Sequence, residues 1–418
     1  MSEPARTVAV LATLDTKGRE VALLREQIEA QGCRALVMDL GVLGTPGTRA
    51  DVTREEICAA GGMPLAELVR APTRQAAAPV IVAGASRLLA ERVARGDVHA
   101  VLGLGGTQGT STGTAIMQSL PYGFPKVMVS TAAAGDVSAF VGIKDITMMF
   151  SVGDILGLNP LLRKILANAA GAACGMARAA PLERRPGGRP VVGMTNLGVL
   201  TDGALRALAR FERKGYEVVV FHAVGSGGRA MEQMLRDGIL GAVFDYALGE
   251  ITDEVFHGLR AGGKERLTVA GALGLPQVLV PGGAEHVGLF VPPDTVPERW
   301  RDHLHVFHSP VILAPRCNAD ELRQVAREIA RRLGTTHGRA VLFLPRRGTS
   351  RYGMPGGPLH DPAGDQAFFD ELVARLPRSI EVQERDAGAE DPAFVDECVD
   401  RLVALIEAGA PRAGAAAP

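Results

Sequence analysis

Aromatic residues make up only 4% of this 418-residue chain, with a single tryptophan. So few rings give unpaired bases little to stack on, which argues against a single-strand nucleic-acid platform. A surplus of either charge is missing as well. The formal net charge is −1 and no long basic run occurs, so general nucleic-acid binding is not expected. The five cysteines (Cys33, Cys58, Cys174, Cys317 and Cys398) are far apart, odd in number and in no metal-ligating spacing. Reduced thiols in a cytoplasmic protein fit that pattern better than a disulfide framework does. No run of roughly eighteen apolar residues is present, so no membrane span is expected. The N-terminal apolar run is too short for a secretory signal.

What is present is ordinary globular composition, 47% hydrophobic and 22% charged, over a length that suits two domains. TVAVLAT (7–13) reads as a strand, 19–30 as a helix with Val21, Leu24 and Ile28 on one face, and 35–40 as a second strand after Gly32. Such alternation implies a parallel sheet. Between 50 and 96 the pattern is mainly helical, with breaks expected at Gly61–Gly62 and Pro79. RAAPLERRPGGRP (178–190) is the linker candidate, and the strand–helix–strand pattern then restarts. Laying Val8 on Val191 puts Gly32 on Gly215, which suggests a pseudo-repeat. The expected fold is α/β: two Rossmann-like lobes with mainly parallel sheets, 1–180 and 189–408, and a disordered tail at 409–418.

The glycine-rich stretch DVHAVLGLGGTQGTSTGTAIM (97–117) follows a strand and opens a helix. Glycines and hydroxyls at a helix start suit an anion; they equally suit a turn that lets helix and sheet pack. It is neither a Walker sequence nor GxGxxG, since Gln108 stands where the third glycine belongs. At another strand end, Asp15, Thr16 and Lys17 offer a carboxylate for Mg²⁺, a hydroxyl, and a cation for phosphate; a capped helix start is the plainer reading. Further on, Glu285–His286 reads as an acid–base pair, a metal-binding pair or a polar loop. His303, His305 and His308 match no common zinc spacing. Arg316 reads as a carboxylate or phosphate clamp or as a solvated strand end, and Cys317 as a nucleophile or a buried thiol.

Several segments together resemble one family. They are TLDTKG (13–18), GLGGTQGTSTGTAIMQSLPYGFPKVMVSTAA (103–133), SVGDILGLN (151–159), FHAVGSGGRAME (221–232) and LPRRGTSRYGMPGGPLHDP (344–362). The family is that of the ATP-binding N-terminal domain of the tomato mosaic virus resistance protein and its bacterial relatives. The resemblance implies two Rossmann-like subdomains, ATP bound between or beside them, and a homodimer; Mg²⁺ is expected with the ATP from the Asp15 carboxylate. Its ATP contacts would be Asp15, Thr16, Lys17, Gly105, Gly106, Thr107, Gly109, Thr110, Ser111 and Thr131, with Gly225, Ser226 and Gly227 from the second lobe. That lobe departs from the pattern: PGGAEHVGLF (281–290) replaces a CGALDMVNFG-like segment, Ser309 interrupts HNP, and Gly353 stands in place of an aspartate. The expectation is ATP-dependent activation of a small carboxylic acid, with Glu285, His286, His308 and Arg316 on the substrate side. The alternative is an ATP-dependent protein-binding module without catalysis.

Overall fold

Apolar strands buried at every position run down the middle of each half of the chain. In β1 (Thr7–Ala12) no side chain reaches the surface, as in a parallel sheet covered by helices on both faces. The computed structural model describes residues 5–70, 73–180 and 188–409; most of the expected linker and tail lie outside the described residues. The chain divides into two units, Met1–Arg184 and Arg185–Pro418.

The N-terminal unit continues with α1 (Leu14–Ala30), β2 (Arg34–Asp39), α2 (Arg54–Ala60), α3 (Leu65–Arg70) and α4 (Arg74–Ala94). It ends with β3 (Ala100–Gly105), α5 (Thr107–Gln118), β4 (Lys126–Ser130), α6 (Ser138–Val141), β5 (Thr147–Phe150) and α7 (Pro160–Arg178). Its sheet runs β2-β1-β3-β4-β5, with every pair parallel. The chain leaves β1 toward β2 and returns to β3 on the other side, so a crevice opens between the carboxyl ends of β1 and β3. Helix α1 begins at Leu14, five residues earlier than the periodicity predicts, with Lys17 locally non-helical (φ −122°, ψ 17°). Asp15, Thr16 and Lys17 therefore lie on its first turn. Helix α4 runs through Pro79. Ile81, Ala85 and Leu89 are buried at four-residue spacing beyond it, and that burial outweighs one missing backbone hydrogen bond.

The C-terminal unit follows the same plan: β6 (Val192–Asn196), α8 (Thr201–Arg213), β7 (Val218–His222), α9 (Ser226–Arg236), β8 (Ala242–Ala247), α10 (Gly249–Phe256), α11 (Val269–Ala272) and β9 (Gln277–Gly282). Three short strands, β10 (Leu289–Phe290), β11 (His305–Ser309) and β12 (Ile312–Pro315), form a small antiparallel sheet. Then come α12 (Ala319–Leu333), β13 (Ala340–Pro345), α13 (Pro362–Arg375), β14 (Ile380–Arg385) and α14 (Pro392–Glu407). The main sheet is parallel in the order β14-β13-β9-β8-β6-β7. Its first four strands in chain order thus sit as those of the other unit do. Gly32 and Gly215 follow α1 and α8 with φ of 72° and 77°, so the pseudo-repeat extends to the turns that end the first helix of each unit.

Candidate functional sites

In the N-terminal unit, three adjacent strand ends carry the residues the sequence singles out. Asp15, Thr16 and Lys17 follow β1, Gly105 to Ser111 follow β3, and Thr131 follows β4. The N-cap of α5 is Gly106, which offers no side-chain cap, and the first turn of the helix contains no acid. The first internal amide bond there is Thr110 N to Gly106 O, leaving the Thr107, Gln108 and Gly109 amides without a helical acceptor. Thr107 and Ser111 are exposed one turn apart. Thr131 adjoins Gly106; a methyl group added at that glycine would sit 3.7 Å from its hydroxyl. Thr110 is different: buried, it hydrogen-bonds Ser130 Oγ at 2.6 Å and fastens α5 to β4. The Asp15 carboxylate has no hydrogen-bond or ion-pair partner among the described residues, while Lys17 Nζ donates to Ile155 O. Free amides, hydroxyls and a lysine suit a phosphate, and an unpaired carboxylate beside them suits a hydrated divalent cation.

The C-terminal unit treats its helix starts differently. Glu250, in the first turn of α10, accepts from the Gly225 and Gly228 amides at 2.6 and 3.1 Å. The turn of Gly225, Ser226 and Gly227 therefore already holds an anion from its own chain. Arg266 secures that carboxylate at 2.7 Å and also binds Asp245 at 2.6 Å through each Nη.

A second cluster lies beyond β9 and β13. Glu285 accepts from Thr349 Oγ1 at 2.6 Å, from Ser350 Oγ and from His286 Nδ1 at 3.1 Å. Burial pushes its carboxyl up, but His286 and the two hydroxyls outweigh that and hold it well below the usual carboxylate range. His286 Nε2 lies 3.2 Å from Arg260 Nη1. Because an arginine only donates, this nitrogen is placed as the acceptor and Nδ1 as the donor to Glu285. Arg260 is in turn held by Asp253 at 2.8 and 3.0 Å. Arg316 pairs with His286 across an isolated antiparallel bridge. Its Nη groups donate to Leu359 O, Asp361 O and the Asp365 carboxylate, bracing the loop before α13. Tyr352 lies between the rings of His286 (6.0 Å) and His308, whose Nδ1 is 3.2 Å from its hydroxyl.

The structure thus brings Glu285, His286, His308 and Arg316 into one neighbourhood, and His308 is the exposed member. Sequence reasoning missed Thr349, Ser350, Arg260, Asp253 and Tyr352, because hydroxyl and arginine partners far along the chain leave no local spacing signal. His303 turns to Glu321 and His305 to the His303 carbonyl, so the three histidines diverge. Among the described residues no group of three His, Cys, Asp or Glu side chains could hold a metal ion. Cys317 is fully buried, and burial pushes its thiol well above its ordinary value, which disfavours a nucleophilic thiolate. No helix among the described residues is long and apolar enough to cross a membrane.

Residues 6–181 match the N-terminal domain, and residues 189–406 the C-terminal domain, of an uncharacterised protein family, UPF0261. A UPF0261 protein of Clostridium tetani (strain Massachusetts / E88) is 36% identical over 367 residues, covering 88% of this chain and 90% of its own length. One from Rhizobium meliloti (strain 1021) is 36% identical over 374 residues, covering 90% and 92%. The ToMV resistance protein Tm-1(GCR237) of Solanum lycopersicum is 32% identical over 291 residues, 69% of this chain and 38% of that protein. Matched in both halves and along nearly the full length of its bacterial relatives, the chain belongs to the UPF0261 family.

Proposed function

We propose that this chain binds ATP with Mg²⁺ at the crevice between β1 and β3, and uses it to activate a small carboxylic acid by phosphoryl or adenylyl transfer. The observation that carries the reading is the start of α5, uncapped and free of acid, on the strand end next to the one that carries Lys17 and an unpaired Asp15. The Thr107 to Gly109 amides with Lys17 would hold phosphate oxygens, and Asp15 would reach Mg²⁺ through water. Such chemistry is mostly positioning and charge neutralisation. Within the C-terminal unit taken by itself, His308 is the member of the Glu285 cluster that is open to solvent, while Glu285, His286 and Arg316 are buried and bonded. Five free, buried cysteines support a reducing, cytoplasmic setting.

Calorimetric titration with ATP–Mg²⁺ tests the binding step. Lys17→Ala is expected to weaken ATP by roughly 10- to 100-fold, the range of a charge-assisted hydrogen bond. Absence of binding to the wild-type chain would sink the reading. ADP or AMP release with a panel of carboxylic acids then tests the reaction. Saturation of the Glu285 cluster by internal partners favours a second reading, an ATP-dependent binding module; ATP binding with no nucleotide turnover would select it.

A further inference from the structure

We propose that the pocket at the carboxyl end of β2 is a binding site for an α-amino acid with an apolar side chain. The loop after β2, together with α2 and α3, lines a pocket of about 620 Å³, within the range of small-molecule sites. One side is closed by an ion pair, Arg54 Nε to Asp39 Oδ2 at 3.1 Å, both residues being buried. Asp39 also accepts from the Leu14 and Gly41 amides, and Arg54 donates to Leu43 O and Gly44 O. That side therefore pairs one cation with one anion, with Asp39 Oδ1 and Arg54 Nη1 already hydrogen-bonded.

The remaining lining is of two kinds. Leu43, Leu65 and Val69 supply apolar surface, with Leu43 49% and Val69 42% exposed. Arg49 and Glu55 line the same pocket, and neither head group has a hydrogen-bond or ion-pair partner among the described residues. An unpaired cation and an unpaired anion beside an apolar wall match a zwitterion with an apolar body. Its carboxylate meets Arg49, its ammonium meets Glu55, and its side chain lies on the three aliphatic residues. A simple carboxylic acid would leave Glu55 without a partner, and a simple amine would leave Arg49 without one. The loop also touches the proposed cation site: a methyl group added at Gly44 would lie 3.0 Å from Asp15 Cβ. That this amino acid is the acid activated by ATP rests on the preceding reading; its binding does not.

The test is calorimetric titration of the full chain, without nucleotide, with L-leucine and L-phenylalanine. 4-Methylpentanoate lacks the amine of leucine, and leucinamide lacks its carboxylate. Both are expected to bind at least ~10-fold more weakly than leucine, each having lost one charged contact. Arg49→Gln should weaken leucine by a similar factor and leave leucinamide unchanged. Glu55→Gln should weaken leucine and leave 4-methylpentanoate unchanged. Val69→Asp should weaken every ligand, with circular dichroism checking that the fold persists. No binding of either amino acid up to about 10 mM, a range in which ligands held by about 3 kcal/mol are still detected, overturns the proposal. So does leucine binding that neither Arg49→Gln nor Glu55→Gln alters. ATP is titrated separately: leucine binding without ATP binding removes only the preceding reading, and the reverse removes only this one.

Discussion

Arg266 is a single buried cation facing three buried carboxylates, Glu232, Asp245 and Glu250. Burial pushes the Glu232 carboxyl up more than Arg266 and the Leu267 and Val269 amides pull it down. Arg266→Met would leave carboxylates with no cation, and a loss of about 3–5 kcal/mol in urea unfolding is expected. A loss below about 1 kcal/mol, the scale of an exposed pair, would mean that solvent reaches the cluster. Arg316 poses a related problem with Glu285, Asp361 and Asp365. Burial pushes the Asp365 carboxyl up to about 6, although Arg316 pulls it back. A carboxyl raised in the folded state contributes stability that is fully present below its unfolded value near 4 and is lost as pH rises through about 6. Melting temperatures of wild type and Asp365→Asn measured from pH 4 to 7.5 should therefore diverge in the variant's favour as pH rises. Parallel curves would refute the assignment.

At the scale of elements, the start of α5 depends on close backbone approach. A methyl group added at Gly105 would lie 2.7 Å from Gly109 Cα, so Gly105→Ala must push the helix off the strand end. About 1–3 kcal/mol of destabilisation is expected, with ATP affinity falling along with it. Unchanged affinity in a folded variant would separate the nucleotide site from this turn. Elements with continuous apolar runs, such as β1, β3, β8 and β13, could be read directly from the sequence. So could α14, whose bounds of Pro392 and Glu407 agree with its periodicity. Strands β5 and β14 could not: β5 is only four residues long, and β14 (IEVQER) mixes polar with apolar residues. The sites divide similarly. The strand-end placement of Asp15, Lys17 and the glycine loop could be read because the pattern that marks it is local. The Thr349 hydroxyl on Glu285 comes from 64 residues away, and no spacing rule announces it.

For the whole molecule, each unit has its own sheet and its own buried clusters. A fragment spanning residues 5–180 is expected to unfold in one cooperative urea transition; a gradual, non-cooperative loss of ellipticity would contradict this. Under the proposed function, the duplicated plan raises the question of why two similar sheets should not bind two nucleotides. Glu250 supplies an answer. Sitting on the amides of Gly225 and Gly228, it acts as a tethered competitor, present at a fixed high local concentration that a diffusing phosphate must overcome. Titration with ATP–Mg²⁺ should then give a stoichiometry near one per chain. The Gly225 turn, which follows β7, is plugged by the protein itself; in the proposed reading the start of α5, which follows β3, is the socket left open.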